Sequence, residues 1–112
     1  MSGDPGNGIL LALSTCPDSD TAERIAQALV GERLAACVNI LPGAVSLYRW
    51  QGNIERDSEC VLLIKTGRER FVALRERLRQ LHPYELPELI AVPIETGLAA
   101  YLDWVEENIV PE

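Results

Sequence analysis

The chain has 112 residues, of which 47% are hydrophobic and 24% charged, and carries a net charge of −7. That is enough for one hydrophobic core and too little for two. No apolar run nears the ~18 residues of a membrane helix, and the acidic balance repels nucleic acid and anionic membranes. We expect a flexible N-terminus over residues 1–8, because "MSGDPGNG" has neither the basic nor the apolar region of a secretory signal. A single domain over residues 9–112 should follow, with no nucleic-acid or membrane partner and a cytoplasmic location. Cys16, Cys37 and Cys60 are an odd count on separate elements, which fits reduced thiols better than a disulfide framework.

In chain order, Ile9–Ser14 reads as an apolar strand that Pro17 stops. Asp20 and Glu23 have capping-box spacing for a helix whose inward stripe is Ala22, Ile25, Ala26 and Leu29, with Gly31 near its end. A second strand runs from Leu34 to Trp50. Within it Pro42 cannot donate to a ladder and Gly43 tolerates unusual dihedrals, so the pair predicts a bulge or an edge. The turn "WQGN" returns the chain as the antiparallel partner "IERDSECVLLIKT", with Glu55, Asp57 and Glu59 on one face. Thr66 and Glu69 repeat capping-box spacing ahead of a helix with the stripe Phe71, Leu74, Leu78 and Leu81, which Pro83 ends. A short strand over Glu88–Pro93 leads to an amphipathic helix bearing Leu98, Tyr101, Leu102, Val105 and Ile109.

The order βαββαβ plus a C-terminal helix predicts an α+β, ferredoxin-like fold with an antiparallel sheet and a long hairpin. Two helices cover one face of such a sheet, yet the strands are apolar nearly throughout, so the other face needs cover too. A hairpin arm of about fifteen residues spans roughly 50 Å, while a compact domain of this size has a diameter of roughly 35 Å. The tip must overhang, and a tip with Tyr48 and Trp50 is an aggregation hazard unless it docks on another copy. We therefore expect an oligomer, with Tyr48, Trp50 and Trp104 as interface residues in place of a stacking platform, since no basic groove accompanies them.

The segment "LHPYELPELIA" holds the chain's single histidine. Imidazole titrates near neutrality and binds borderline metals, so His82 is a candidate ligand; a histidine in the last turn of a helix is also favoured by the dipole alone. Lys65 ends the second hairpin arm, where it is expected to meet Glu59 or an anionic ligand, or simply to keep an edge wet. Five arginines between Arg68 and Arg79 read first as a solvated helix face and second as a docking surface for an acidic protein partner. There is no phosphate-binding loop and no HExxH, and one histidine excludes a multi-histidine zinc site within a subunit. A Cys37 and His82 nucleophilic pair would lack an orienting third group, so we name no catalytic residue and expect no enzyme.

Three stretches, "LAACVNILPGAVSLYRWQGNIERDSECVLLIKT", "HPYELPELIAVPI" and "YLDW", together resemble the CutA family of divalent-cation tolerance proteins, with likeness running from Ile9 to Ile109. The resemblance implies a homotrimer with hairpins reaching across subunits, and copper or another divalent cation as the bound species. His82, Pro83, Tyr84, Pro87 and Glu88 match the family's H-P-Y and P-E pattern, and Cys37 lies in its "AACVNI" segment. On that basis Cys37 and His82 are the candidate metal ligands, with Glu59 and Glu88 as outer carboxylates. The trimer also resembles the PII signalling proteins, which implies the alternative of a small anionic effector held by Lys65 and Tyr84 in a cleft between subunits.

Overall fold

In the computed structural model, residues 8–111 are described. The expected flexible terminus falls, apart from Gly8, outside them. The elements are β1 (Ile9–Cys16), α1 (Ser19–Gly31), β2 (Cys37–Trp50), β3 (Asn53–Gly67), α2 (Arg68–Leu81), β4 (Ile90–Pro93) and α3 (Ala99–Asn108). The four strands form one antiparallel sheet in the order β2-β3-β1-β4. This is the ferredoxin-like arrangement with an added C-terminal helix.

The side-chain period of two sorts the strands onto two faces. Ala12, Cys16, Leu62 and Ile64 point to one face, where Ala22, Ile25 and Leu29 of α1 and Leu74 and Leu78 of α2 close over them. The alternate residues, among them Leu11, Leu13, Val61 and Leu63, look the other way and are only half-buried. On that open face α3 covers one end alone, packing Leu102, Val105 and Ile109 against Ile9 and Ala36. Gly67 permits this approach: a Cβ there would lie 2.7 Å from Ile109 Cδ1.

β1 ends where Cys16 pairs with Cys60, so the outer parts of β2 and β3 continue as a two-stranded ribbon. The molecule is correspondingly long, 47 × 26 × 22 Å. Its tip is a two-residue turn in which Gln51 (φ 50°) and Gly52 (φ 86°) are both left-handed, the type I′ geometry whose twist matches the flanking strands. The predicted bulge sits between Leu41 and Ala44, with Gly43 at φ 83°.

Both helix starts differ from the capping-box reading. α1 begins two residues earlier, so Asp18, in extended backbone, takes the cap and its Oδ1 accepts the Thr21 N–H at 2.8 Å. That bond holds the Asp18 carboxyl below its usual range. Asp20 falls inside the first turn. At α2 the cap is Gly67 without a side-chain bond, because Thr66 is buried in β3 and its hydroxyl donates to the Leu34 carbonyl at 2.6 Å. The left-handed residue after α1 is Arg33 (φ 59°), two positions beyond Gly31. β2 and β4 begin later than expected, at Cys37 and Ile90, since Leu34–Ala36 is a buried connector and Glu88 belongs to the loop before β4.

The arginines of α2 are largely engaged within the chain. Arg77 donates to both oxygens of Glu32 at 3.0 Å, Arg75 and Arg79 reach Glu76, and Arg70 donates to the Arg33 carbonyl at 3.2 Å. This favours the solvated face over a docking surface.

Candidate functional site

β3 is the ruler along which the candidate residues are set. Cys37 is opposite Lys65 near one end of the three-stranded part, and Cys16 opposite Cys60 at the other. Five residues separate those rungs, a distance of about 17 Å. Cys37 and Lys65 therefore belong to one cluster, and His82, Tyr84 and Glu59 to another.

At the first end, Lys65 Nζ donates to Asn39 Oδ1 and lies 3.9 Å from Cys37 Sγ. Tyr101 of α3 comes down on the same thiol; burial and the neighbouring Cys37 raise its phenol pKa. The ring of Tyr101 stacks on Trp104 at 5.6 Å, and Trp104 itself remains largely exposed. Lys65 does not meet Glu59, which stands six residues away on β3 and bonds elsewhere.

The other end is built where Pro83 stops α2. His82 caps the helix, its backbone N–H bonding to the Leu78 carbonyl, and its ring turns inward beneath the sheet edge. Nε2 is 2.7 Å from the Thr15 carbonyl, which can only accept, so Nε2 carries the proton. The Tyr84 backbone N–H, which can only donate, is 3.1 Å from Nδ1, so Nδ1 is bare. Both ring nitrogens thus hold the connector between α2 and β4, and a metal ion would have to displace one of these bonds. Cys16 Sγ lies 3.9 Å from Nε2, and burial, followed by the nearby Cys60 and Glu59, pushes its thiol pKa up to about 11.

Tyr84 then carries the site onto the open face. Its hydroxyl donates to Glu59 Oε2 at 2.7 Å, and burial together with that carboxylate drives the phenol pKa far above normal. Glu59 is buried. One step along the ribbon, Tyr48 donates to Asp57, a bond that pushes its phenol up to about 12. Tyr48, Tyr84 and Glu59 border an open cavity of about 700 Å³ between the ribbon and the 84–88 loop, with Trp50, Glu85 and Glu88 on its walls. Glu88 also fixes the loop through its carbonyl, which accepts from Ser14 Oγ at 2.7 Å.

The fold thus brings His82, Tyr84, Glu59 and Glu88 into one neighbourhood at one end of the sheet, and leaves Cys37 and Lys65 at the other end, on the open face. Among the described residues no three or more His, Cys, Asp or Glu side chains gather in a metal-binding cluster. Sequence reasoning missed Cys16, Cys60 and Asp57 as members of the neighbourhood. Cys16 and Cys60 meet through the β1 and β3 register, which no turn between adjacent strands sets, whereas Asp57 follows from the β2 and β3 hairpin.

The comparisons with known proteins agree with one another. The family described as "CutA1 divalent ion tolerance protein" matches residues 10–108. The divalent-cation tolerance protein CutA of Thermus thermophilus is 53% identical over 98 residues, covering 88% of this chain and 95% of that protein. Protein CutA of Mus musculus is 46% identical over 106 residues, 95% of this chain but only 60% of the mouse protein. The crystal structure of CutA from Xylella fastidiosa superposes with a TM-score of 0.90 at 54% identity, covering 92% of this chain and 99% of that one. With the matched segment running from the second residue of β1 to the end of α3, the chain belongs to the CutA1 divalent ion tolerance family.

Proposed function

We propose that the protein is a cytoplasmic homotrimer that binds a divalent cation, copper first among them, in the service of cation tolerance and without a catalytic step. The observation that carries the cation is Glu59. It is a buried carboxylate that accepts a hydrogen bond from the Tyr84 hydroxyl, and among the described residues no lysine or arginine pairs with it. A buried carboxylate without a cation is unfavourable, and a bound cation relieves it. The trimer is supported by the apolar open face and by a ribbon that overhangs the body of the chain. The free state of all three cysteines fits a reducing compartment.

Cys37 and His82 stand too far apart in one chain to share an ion, so they act together only if they come from different copies. Thiolate and imidazole suit copper, with Glu59 and Glu88 as outer oxygen ligands. Copper titration by calorimetry on the wild type, Cys37→Ser and His82→Ala tests this. Both variants should lose binding while sedimentation still reports a trimer, and mixed oligomers of the two should regain part of it. Unchanged binding in both would remove Cys37 and His82 from the site; a monomer in sedimentation would end the shared-site reading altogether.

A PII-like effector site is the second reading, and the size of the cavity favours it: about 700 Å³ is in the range of small-molecule sites. Tyr84 borders that cavity and Lys65 would have to be contributed by a neighbouring copy. A thermal-shift screen of nucleotides and organic acids checks it. A stabilising hit that Lys65→Ala abolishes supports an anionic effector, and a flat screen with a metal response discards it.

A further inference from the structure

We propose that Cys16 and Cys60 are a redox-sensitive dithiol, a modification site that closes to a disulfide between β1 and β3 when the protein meets a peroxide. The two residues are the last rung of the β1 and β3 ladder, directly opposite one another. Directly opposed antiparallel residues have Cα atoms about 4.5–5.5 Å apart, within the ~4.4–6.8 Å that a disulfide spans. Both side chains point to the helix-covered face, so their Cα–Cβ bonds run in the same direction, and both are free thiols. Being at the end of the ladder matters as well. β1 stops at Cys16 and β3 continues with β2 alone, so the rung can adjust without distorting a ladder on both sides.

The surroundings set the roles. Cys60 keeps 5% exposure and lies 3.7 Å from Ser19 Oγ at the start of α1, while Cys16 is fully buried against His82. Cys60 is the point of attack. As thiolate it displaces hydroxide from hydrogen peroxide, forming a sulfenic acid, and the hydroxide takes up the proton the thiol released. The sulfur of Cys16 then attacks the sulfenic sulfur, the S–O bond breaks as the S–S bond forms, and the Cys16 proton leaves with the hydroxide as water. Two thiols and one peroxide give one disulfide and two waters. Thiol reductants reverse the reaction by exchange. The third cysteine does not compete within the chain, since Cys37 is on the opposite face and about 17 Å along β3.

Closure has a local consequence. The new bond would fasten the point where the ribbon departs from the body, with Glu59 on one side of it and the Thr15 carbonyl that holds His82 on the other. The oxidised form should therefore melt several degrees higher, since the cross-link closes the whole loop from β1 to β3.

The test is peroxide treatment of the full-length protein, alkylation of remaining thiols in denaturant, and non-reducing digestion. The expected result is a peptide pair joining Cys16 to Cys60, lighter by two hydrogens than the separate peptides, released by dithiothreitol and also formed in Cys37→Ser. Cys60→Ser should lose both the cross-link and the rise in melting temperature. Equilibration against a glutathione redox couple removes any barrier due to burial. If Cys16 and Cys60 both remain alkylatable at its oxidising end, or cross-link only through Cys37, the proposal is overturned. Copper titration of the Cys16→Ser, Cys60→Ser double variant keeps this inference separate from the cation reading, because either can fail alone.

Discussion

The two faces of the sheet are made from the same strands and meet different fates. On the covered face Leu62 and Ile64 have no exposure at all, while on the other Leu41, Ile90 and Val92 remain 45–56% exposed. Composition does not explain this, because both faces are aliphatic. The difference is cover: α1 and α2 lie along one face, whereas α3 is short and reaches only the end near Gly67 and Ile109. The covered face holds the fold within the chain, and the open one retains apolar area that only another molecule can bury.

That contrast can be broken from either side. The largest effect belongs to the covered face: Leu62→Ala should cost about 2–5 kcal/mol, read as a lower denaturation midpoint, because neighbours there cannot collapse into the gap. On the open face Leu63→Asp should leave the fold of the isolated chain intact and reduce the proposed trimer to the 12.4 kDa monomer by sedimentation. If instead the trimer persists, the assignment of faces is wrong. Gly67→Ala tests the one place where α3 does cover that face. The added Cβ meets Ile109, so a loss of about 1–3 kcal/mol is expected from overpacking, and Ile109→Val in the same chain should recover part of it.

The smallest effect sharpens the site itself. Tyr84→Phe removes the hydrogen bond to Glu59 and should cost about 1–2 kcal/mol near neutral pH. The folded pKa of Tyr84 is raised, so its stabilising contribution is complete below the unfolded value of 10.0 and is lost as pH climbs toward the folded one. The wild type should thus lose stability progressively above pH 10, and Tyr84→Phe should flatten that alkaline limb. An unaltered limb in the variant would mean that other phenols, Tyr48 among them, dominate it.

Much of this was legible in the sequence because it is local. Pro42 with Gly43 announced the bulge, "WQGN" the turn, and Pro83 the end of α2, each through a backbone constraint that acts within a few residues. The helix caps were misread by the same kind of rule: Asp18 and Asp20 both suit an N-cap, and only the extended backbone at Asp18 decides between them. The candidate site was harder, since it depends on register. Cys37 and His82 are paired plausibly by chemistry, but β3 sets them about 17 Å apart. Conversely, Cys16 and His82 are 66 positions apart in the chain and within 3.9 Å in the fold. No periodicity in either segment encodes that meeting.

The bulge at Pro42 and Gly43 acts as a phase shifter. Below it Leu41 is opposite Val61, and above it Ala44 is opposite Glu59, so β2 has gained one residue on its partner. If the unchanged sequence ran on from Leu41 and Val61 with no bulge, Asp57 would face Val45 in place of Ser46, and Glu55 would face Leu47 in place of Tyr48. The carboxylates of the ribbon would then lie beside aliphatic side chains, and Tyr48 would hang on the reverse side, out of reach of Asp57. Deleting Gly43 alone would straighten the ladder, with Pro42 opposite Cys60, and would leave the carboxylate pairs of the ribbon as they are, because the bulge holds the one residue without a partner.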